Sequence, residues 1–261
     1  MKKKRGGNNR KKINYFSFNK GTLVLIIGFA LFMLNFFFER IFLGGSTNLT
    51  ICLELFSFVL MYVGLVWYLV LIGDKPFSSS WKYLGKSKKF IYVVVGMFFA
   101  FALIGYFIPA PEFIVEQVMK ILEEILEKTK DMNGFELTRF IFFNNIQSSF
   151  IGMLFGVFLG IFPIISTIAN GYILGFVACL SVQTEGALIL WRLIPHGIFE
   201  LPAIFISLGL GLRVGTFVFQ KNKLESFRKY LMESLIVFVF VVIPLLILAA
   251  IIEGALIAFG V

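Results

Sequence analysis

The chain has 261 residues, of which 59% are hydrophobic and 17% aromatic, with a mean hydropathy of +0.91. A soluble domain is about half apolar, so this composition excludes one and points to a polytopic membrane protein. The net charge of +9 comes from basic residues gathered between apolar runs, the positive-inside pattern of membrane topology rather than a nucleic-acid face. Cys52 and Cys179 each lie within an apolar run without paired spacing, which supports neither a disulfide framework nor a metal site.

Residues 1–21 form a basic tail holding Lys2, Lys3, Lys4, Arg5, Arg10, Lys11, Lys12 and Lys20 and no acid. Such a tail marks a cytoplasmic N-terminus and can touch anionic headgroups. The apolar run Thr22 to Phe38 ends in Asn-Phe-Phe-Phe-Glu-Arg without the small residues of a cleavage site, so it is expected to stay as the first span. A Gly-Gly-Ser-Thr-Asn turn leads to a second span, Leu49 to Gly73, and to a loop with Lys75, Lys82, Lys86, Lys88 and Lys89 that returns to the cytoplasm. Residues 22–89 thus add two spans ahead of a core at residues 90–261.

Phe90 to Pro109 is the third span, long enough for a hydrocarbon layer of about 30 Å. Beyond Pro109-Ala110-Pro111, residues 112–132 place Ile114, Val118, Ile121, Leu122 and Ile125 at three- and four-residue spacing, opposite Glu116, Lys120, Glu123, Glu127 and Lys130. That pattern predicts an extracytoplasmic amphipathic helix, which either packs over its own bundle, the simpler reading, or presents a face to a partner.

No charge occurs from Phe140 to Val182, a run that fits two spans with a turn at Pro163, Ser166 and Thr167. Asn144, Ser148, Gly152, Gly156 and Gly160 fall four apart on one face of the fourth span, and Asn170, Gly171 and Gly175 open the fifth. Glycines at this spacing let helix backbones approach closely in lipid. The sixth span, Gly186 to Gly215, carries Arg192, His196 and Glu200 at four-residue intervals, with Pro195, Gly197 and Pro202 predicting a kinked or broken helix. The seventh, Leu235 to Ile252, should kink at Pro244 and end at Glu253 near the outer surface. The expectation is an all-α bundle of about seven spans, N-terminus in and C-terminus out.

An ionisable group in a bilayer costs roughly 3 kcal/mol on insertion scales, so Glu200 and His196 need partners, while Arg192 can snorkel outward. Asn144, Asn145, Gln147 and Asn170 lie within reach as a polar cluster that would fix the register of spans four to six. The alternative is a hydrated solute path, although no second broken segment matches the first. One histidine, no His-Glu-x-x-His and no nucleophile motif leave neither a catalytic residue, nor a metal set, nor a cofactor to name.

Asn144 with Gly152, Gly156 and Gly160, then Asn170-Gly171 with Gly175, then His196-Gly197-x-x-Glu200-x-Pro202-Ala203 and Gly209-x-Gly211-x-Arg213-x-Gly215 together resemble the stage II sporulation protein M family. The resemblance covers roughly Phe90 to Val261 and implies a five-span core. The family's namesake is a membrane anchor that assembles with peptidoglycan-degrading partners during engulfment, so the likeness implies a non-enzymatic scaffold or complex subunit. The expected partners are the lipid bilayer and membrane or extracytoplasmic proteins, self-association included, with no nucleic acid. The expected location is the cell membrane, as a multi-pass protein. The alternative function is a transporter or channel lined by Asn144, His196 and Glu200.

Overall fold

Lipid offers a backbone no hydrogen bonds, so an apolar chain must satisfy its peptide groups within each segment. Every regular element among the described residues is accordingly helical. The computed structural model describes residues 20–38, 48–72, 76–108, 111–188, 190 and 194–258. Its contacts divide the chain into two units, Met1–Pro76 and Phe77–Val261. Among the described residues, six helices are long and apolar enough to cross a membrane, beside a shorter apolar stretch at Gly21–Leu31 in the first helix.

The first unit is an antiparallel pair, α1 (Lys20–Phe38) and α2 (Asn48–Ile72). Its two backbones touch. A Cβ on Gly28 would lie 2.5 Å from the Met61 nitrogen, and one on Gly21 would lie 2.6 Å from that of Tyr68. Gly64 meets Leu25 from the other side. Close approach at small residues is how helices gain dispersion contact where lipid gives no hydrophobic drive.

The second unit begins with α3 (Pro76–Phe107). The lysine-rich segment read as a loop is therefore helix, starting fourteen residues before Phe90. Pro76 suits a first helical position, where its missing N–H costs nothing. Ser80, Tyr83 and Ser87 are buried at three- and four-residue spacing, so the segment packs one face. The amphipathic helix forms as α4 (Glu112–Thr129). Asn133 then caps α5 (Gly134–Leu154): its side chain accepts from the amides of Phe135 and Glu136, both at 3.0 Å, while Glu136 accepts from the Asn133 amide at 2.9 Å. This reciprocal box satisfies orphan donors and fixes the turn out of α4.

The turn between the fourth and fifth spans lies earlier than the prolines and hydroxyls suggested. A 3-10 turn at Phe155–Val157 ends α5, Leu159 and Gly160 take left-handed φ values of 57° and 73°, and α6 runs Ile161–Glu185. Pro163 is thus in the first turn of α6, where proline is tolerated, and Gly160 reverses the chain instead of extending the α5 stripe.

The α7 helix (Ile194–Gly215) is continuous, with Pro202 inside it. The expected break within residues 196–200 does not occur. Pro202 is exposed, so its ring faces away from the packed side of the helix. α6 ends at Gly186, whose φ is 84°. α7 is also the best-covered membrane segment, 50% buried where those of α3, α5 and α6 are 17 to 28% buried.

Around α7 the neighbours are fixed by small residues and rings. Val94 and Phe98 of α3 pack on Phe205 and Leu208, with the Phe98 and Phe205 rings 5.0 Å apart. Gly171 and Gly175 of α6 lie against the Phe98 and Ala102 carbonyls of α3. The last helix runs as α8 (Lys223–Val237), a π-helical turn at Phe238–Val242 and α9 (Ile243–Ala258). Pro244 cannot donate to residue 240, and the wider turn just before it accommodates that loss, so the expected kink is expressed as a π turn.

Candidate functional site

Two polar regions bear on function, one near the start of α7 and one at its end. At the start, Arg192 lies outside the described residues, as does the side chain of His196. Glu200 is half-buried, six residues into α7 and so about 9 Å along its axis. The register between α5 and α7 sets what stands level with it. Ser207 donates to the Ser149 carbonyl at 2.7 Å, Gly152 faces Leu208, a Cβ on Gly211 would lie 2.6 Å from the Gly152 carbonyl, and Gly156 and Gly160 meet Gly211 and Gly215. Carried seven residues toward the start of both helices, this parallel ladder places Glu200 level with residues 141–145.

Of the two asparagines at that level, Asn145 is half-buried and Asn144 exposed. Gln147 is also exposed. Asn170 turns onto its own helix, its amide donating to the Ser166 carbonyl at 2.7 Å and approaching the Ser166 hydroxyl at 3.3 Å. The structure therefore brings Asn145 and Glu200 to one level, and does not aim Asn144, Gln147 or Asn170 across a helix interface. Of the glycines, Gly197 has only Leu201 of its own helix nearby. Gly209 instead accommodates Ile91 of α3. At the same end of the unit α9 buries a carboxylate, Glu253, 5% exposed, next to Gly254, which lies against Thr138 of α5.

The end of α7 holds the second polar group. Arg213 Nη1 donates to the Ser87 hydroxyl at 2.7 Å and to the Tyr83 carbonyl at 3.1 Å. Its guanidinium carbon lies 4.0 Å from the centroid of the Tyr83 ring and 5.4 Å from that of Tyr230. The Tyr83 hydroxyl donates to the Tyr230 carbonyl at 3.2 Å and sits 3.4 Å from the Ser234 hydroxyl. A cation over an aromatic face and a charge-assisted hydrogen bond are the strong forms of each contact. Tyr83, Ser87 and Ser234 are buried, so one arginine ties α3, α7 and α8 together away from water. Its position in the last turn of α7 also suits the helix dipole.

Sequence reasoning placed Arg213 in a motif without giving it a contact. The usable signal was the Ser80, Tyr83, Ser87 spacing, a polar stripe of helical period inside a segment read as loop. Chemically, the arginine knot joins helices, and Glu200 offers a carboxylate at the level of the Asn145 amide. Among the described residues no three His, Cys, Asp or Glu side chains gather as a metal cluster.

Comparison with known proteins finds no matching curated protein and no matching solved structure. The family described as stage II sporulation protein M matches residues 94–256, more than half the chain and all of the α5, α6 and α7 packing just described. With its several long apolar helices, this is a membrane protein, and the chain belongs to the stage II sporulation protein M family.

Proposed function

We propose that the protein is a non-enzymatic scaffold subunit of the cell membrane, with its N-terminus and basic segments in the cytoplasm and α4 on the outer face, where it docks a protein partner. The observation that carries this reading is the apolar face of α4. Val118 is buried, but Ile121, Ile125 and Leu126 are 46%, 45% and 66% exposed. An amphipathic helix that covers only part of its stripe against its own chain has apolar area left for another. The same helix carries five glutamates against two lysines, which favours a partner with an apolar groove and a basic rim over an anionic lipid surface.

Family membership supports the membrane-anchor part of the reading, and the backbone-to-backbone packing around α7 suits a rigid platform. The test is site-specific photocrosslinking in cells, with the reactive group at Ile121 or Ile125 and a control at Phe99 of α3. A discrete protein adduct from both α4 positions, absent from Phe99, is expected. Adducts to lipid alone, or to this chain's own bundle, would overturn the proposal.

A second reading, passage of a solute, draws on Glu200 standing level with Asn145. Flux into liposomes holding the purified protein separates the two. Loss of a measurable flux in Glu200→Ala, with unchanged melting temperature, would replace the scaffold reading.

A further inference from the structure

The outward side of α5 carries polar groups at a depth where lipid offers them nothing. The helix packs inward through Ser149, Gly152 and Met153, which are buried. It meets the last helix through Thr138, against Gly254, and through Phe150, whose ring lies 5.4 Å from that of Phe238. With about 3.6 residues per turn, Asn144, Gln147 and Ser148 point away from both contacts, and all three are exposed. Asn144 and Gln147 stand about 8 and 12 Å along the helix past Arg139, the last charge before the apolar run. Neither has the long stem with which lysine or arginine reaches the headgroups.

Neighbouring polar side chains are satisfied on their own helices. The Ser148 hydroxyl donates to the Asn145 carbonyl at 3.3 Å, and the Asn170 amide donates to the Ser166 carbonyl at 2.7 Å. The Asn144 and Gln147 carboxamides make no hydrogen bond among the described residues. An amide left unpaired in hydrocarbon is costly, so this face requires a polar cover. A solute path does not supply it, because both side chains turn away from α7 and its Glu200.

The spacing says what does. Leu137, Phe140, Asn144, Gln147 and Ile151 recur at alternating three- and four-residue steps, and all are half-buried or exposed. That repeat keeps one face turned to a neighbouring helix over several turns, and a polar residue within it fixes the register. When a helix pairs in parallel with a copy of itself, like positions come face to face. A carboxamide carries both donors and an acceptor, so two copies of the same amide satisfy one another. An unrelated helix would have to bring two amides at the same offset, whereas a second copy has them by identity.

We propose that this outward seam of α5 is a self-association face, on which the same helix of a second copy packs in parallel about a two-fold axis along the membrane normal. Asn144 then pairs with Asn144 of the partner subunit, and Gln147 with Gln147 of the partner subunit. Such a contact is isologous and closes at a dimer. It is independent of the partner read for α4.

The test is disulfide trapping in native membranes, using the full chain with Cys52→Ser and Cys179→Ser and one new cysteine at a time. Phe140→Cys and Ile151→Cys, on the seam, should each give a dimer on oxidation, while Leu103→Cys, 60% exposed on α3, should not. Energy transfer between two labelled populations in mild detergent then reads the dissociation constant. Asn144→Leu with Gln147→Leu should raise it about tenfold, as expected for losing two interhelical hydrogen bonds, with the melting midpoint of the monomer kept. No dimer from Ile151→Cys, an equal yield from Leu103→Cys, an adduct to another protein instead of a dimer, or undiminished association in the leucine variant overturns the proposal. Should the leucine variant fail to fold, the comparison of Ile151→Cys with Leu103→Cys decides with both amides in place.

Discussion

The Arg213 guanidinium covers the Tyr83 ring at 4.0 Å while its Nη1 donates to the carbonyl of that same tyrosine at 3.1 Å. One side chain therefore grips both the ring and the backbone of α3, with the buried Ser87 hydroxyl completing the fork at 2.7 Å. Arg213→Ala removes the hydrogen bonds of a charged group, worth about 1.5 to 3 kcal/mol, and a cation–π contact worth about 0.5 to 2. A fall in stability of about 2 to 4 kcal/mol is expected from thermal unfolding in detergent. Arg213→Lys should recover only part of it, since an ammonium can serve the two acceptors but has no planar face to lie on the ring. Full recovery by lysine would mean that charge alone is what the bundle requires.

Gly156 and Gly96 offer the opposite comparison within one unit. A Cβ at Gly156 would meet the Gly211 carbonyl, which is backbone and cannot rotate aside. Gly156→Ala must push α5 from α7, and overpacking of this kind costs about 1 to 3 kcal/mol. Gly96, in α3, has nothing within 4 Å of the same added atom. Gly96→Ala should leave stability unchanged or raise it by up to about 1 kcal/mol through helix propensity. Parallel melts of the two variants read the sign directly. A similar loss at both would disprove the α5 and α7 contact.

These contrasts also show what could be read in advance. The glycine stripes were legible because four-residue spacing on an apolar run has one physical use, close helix approach, and Gly152, Gly156, Gly171 and Gly175 do face other backbones or side chains. Hydropathy likewise marked the apolar runs, because length and composition alone decide them. The lysine segment was misread because charge density resembles a loop, while its helical signal lay in three buried polar residues, Ser80, Tyr83 and Ser87. The α7 break was wrongly expected because proline removes one hydrogen bond without obliging the helix to end. Arg213 was invisible as a contact because its partners lie 126 and 130 residues away in sequence. Local pattern reports which face is buried and not what buries it.

Ser207 and Ser149 sit on facing helices with unequal roles. The Ser207 hydroxyl donates to the Ser149 carbonyl at 2.7 Å, whereas the Ser149 hydroxyl is buried with no hydrogen-bond partner among the described residues. Ser207→Ala should cost about 0.5 to 1.5 kcal/mol, in the range of an interhelical hydrogen bond. Ser149→Ala removes an unsatisfied polar atom and should be neutral or stabilising by up to about 1 kcal/mol. The pair can be read by chemical or thermal unfolding of the two single variants. A larger loss at Ser149 than at Ser207 would reverse the assignment of donor and bystander.

Leu159 and Gly160 should respond in opposite directions although they are adjacent. Leu159 holds φ 57°, a left-handed conformation that costs an L residue roughly 1 to 2 kcal/mol, and its side chain is 56% exposed, so little packing offsets that cost. Leu159→Gly relieves the strain but loosens the unfolded chain, for a net gain of about 0.5 to 1 kcal/mol. Gly160 holds φ 73°, and a Cβ there would also lie 2.8 Å from Leu212 Cδ1. Gly160→Ala therefore takes on both the conformational penalty and a contact against α7, for a loss of about 1 to 3 kcal/mol. The measurement is the difference in melting midpoint between the variants and the parent. Equal losses at both positions would show that the turn between α5 and α6 is held by something other than the left-handed backbone at these residues.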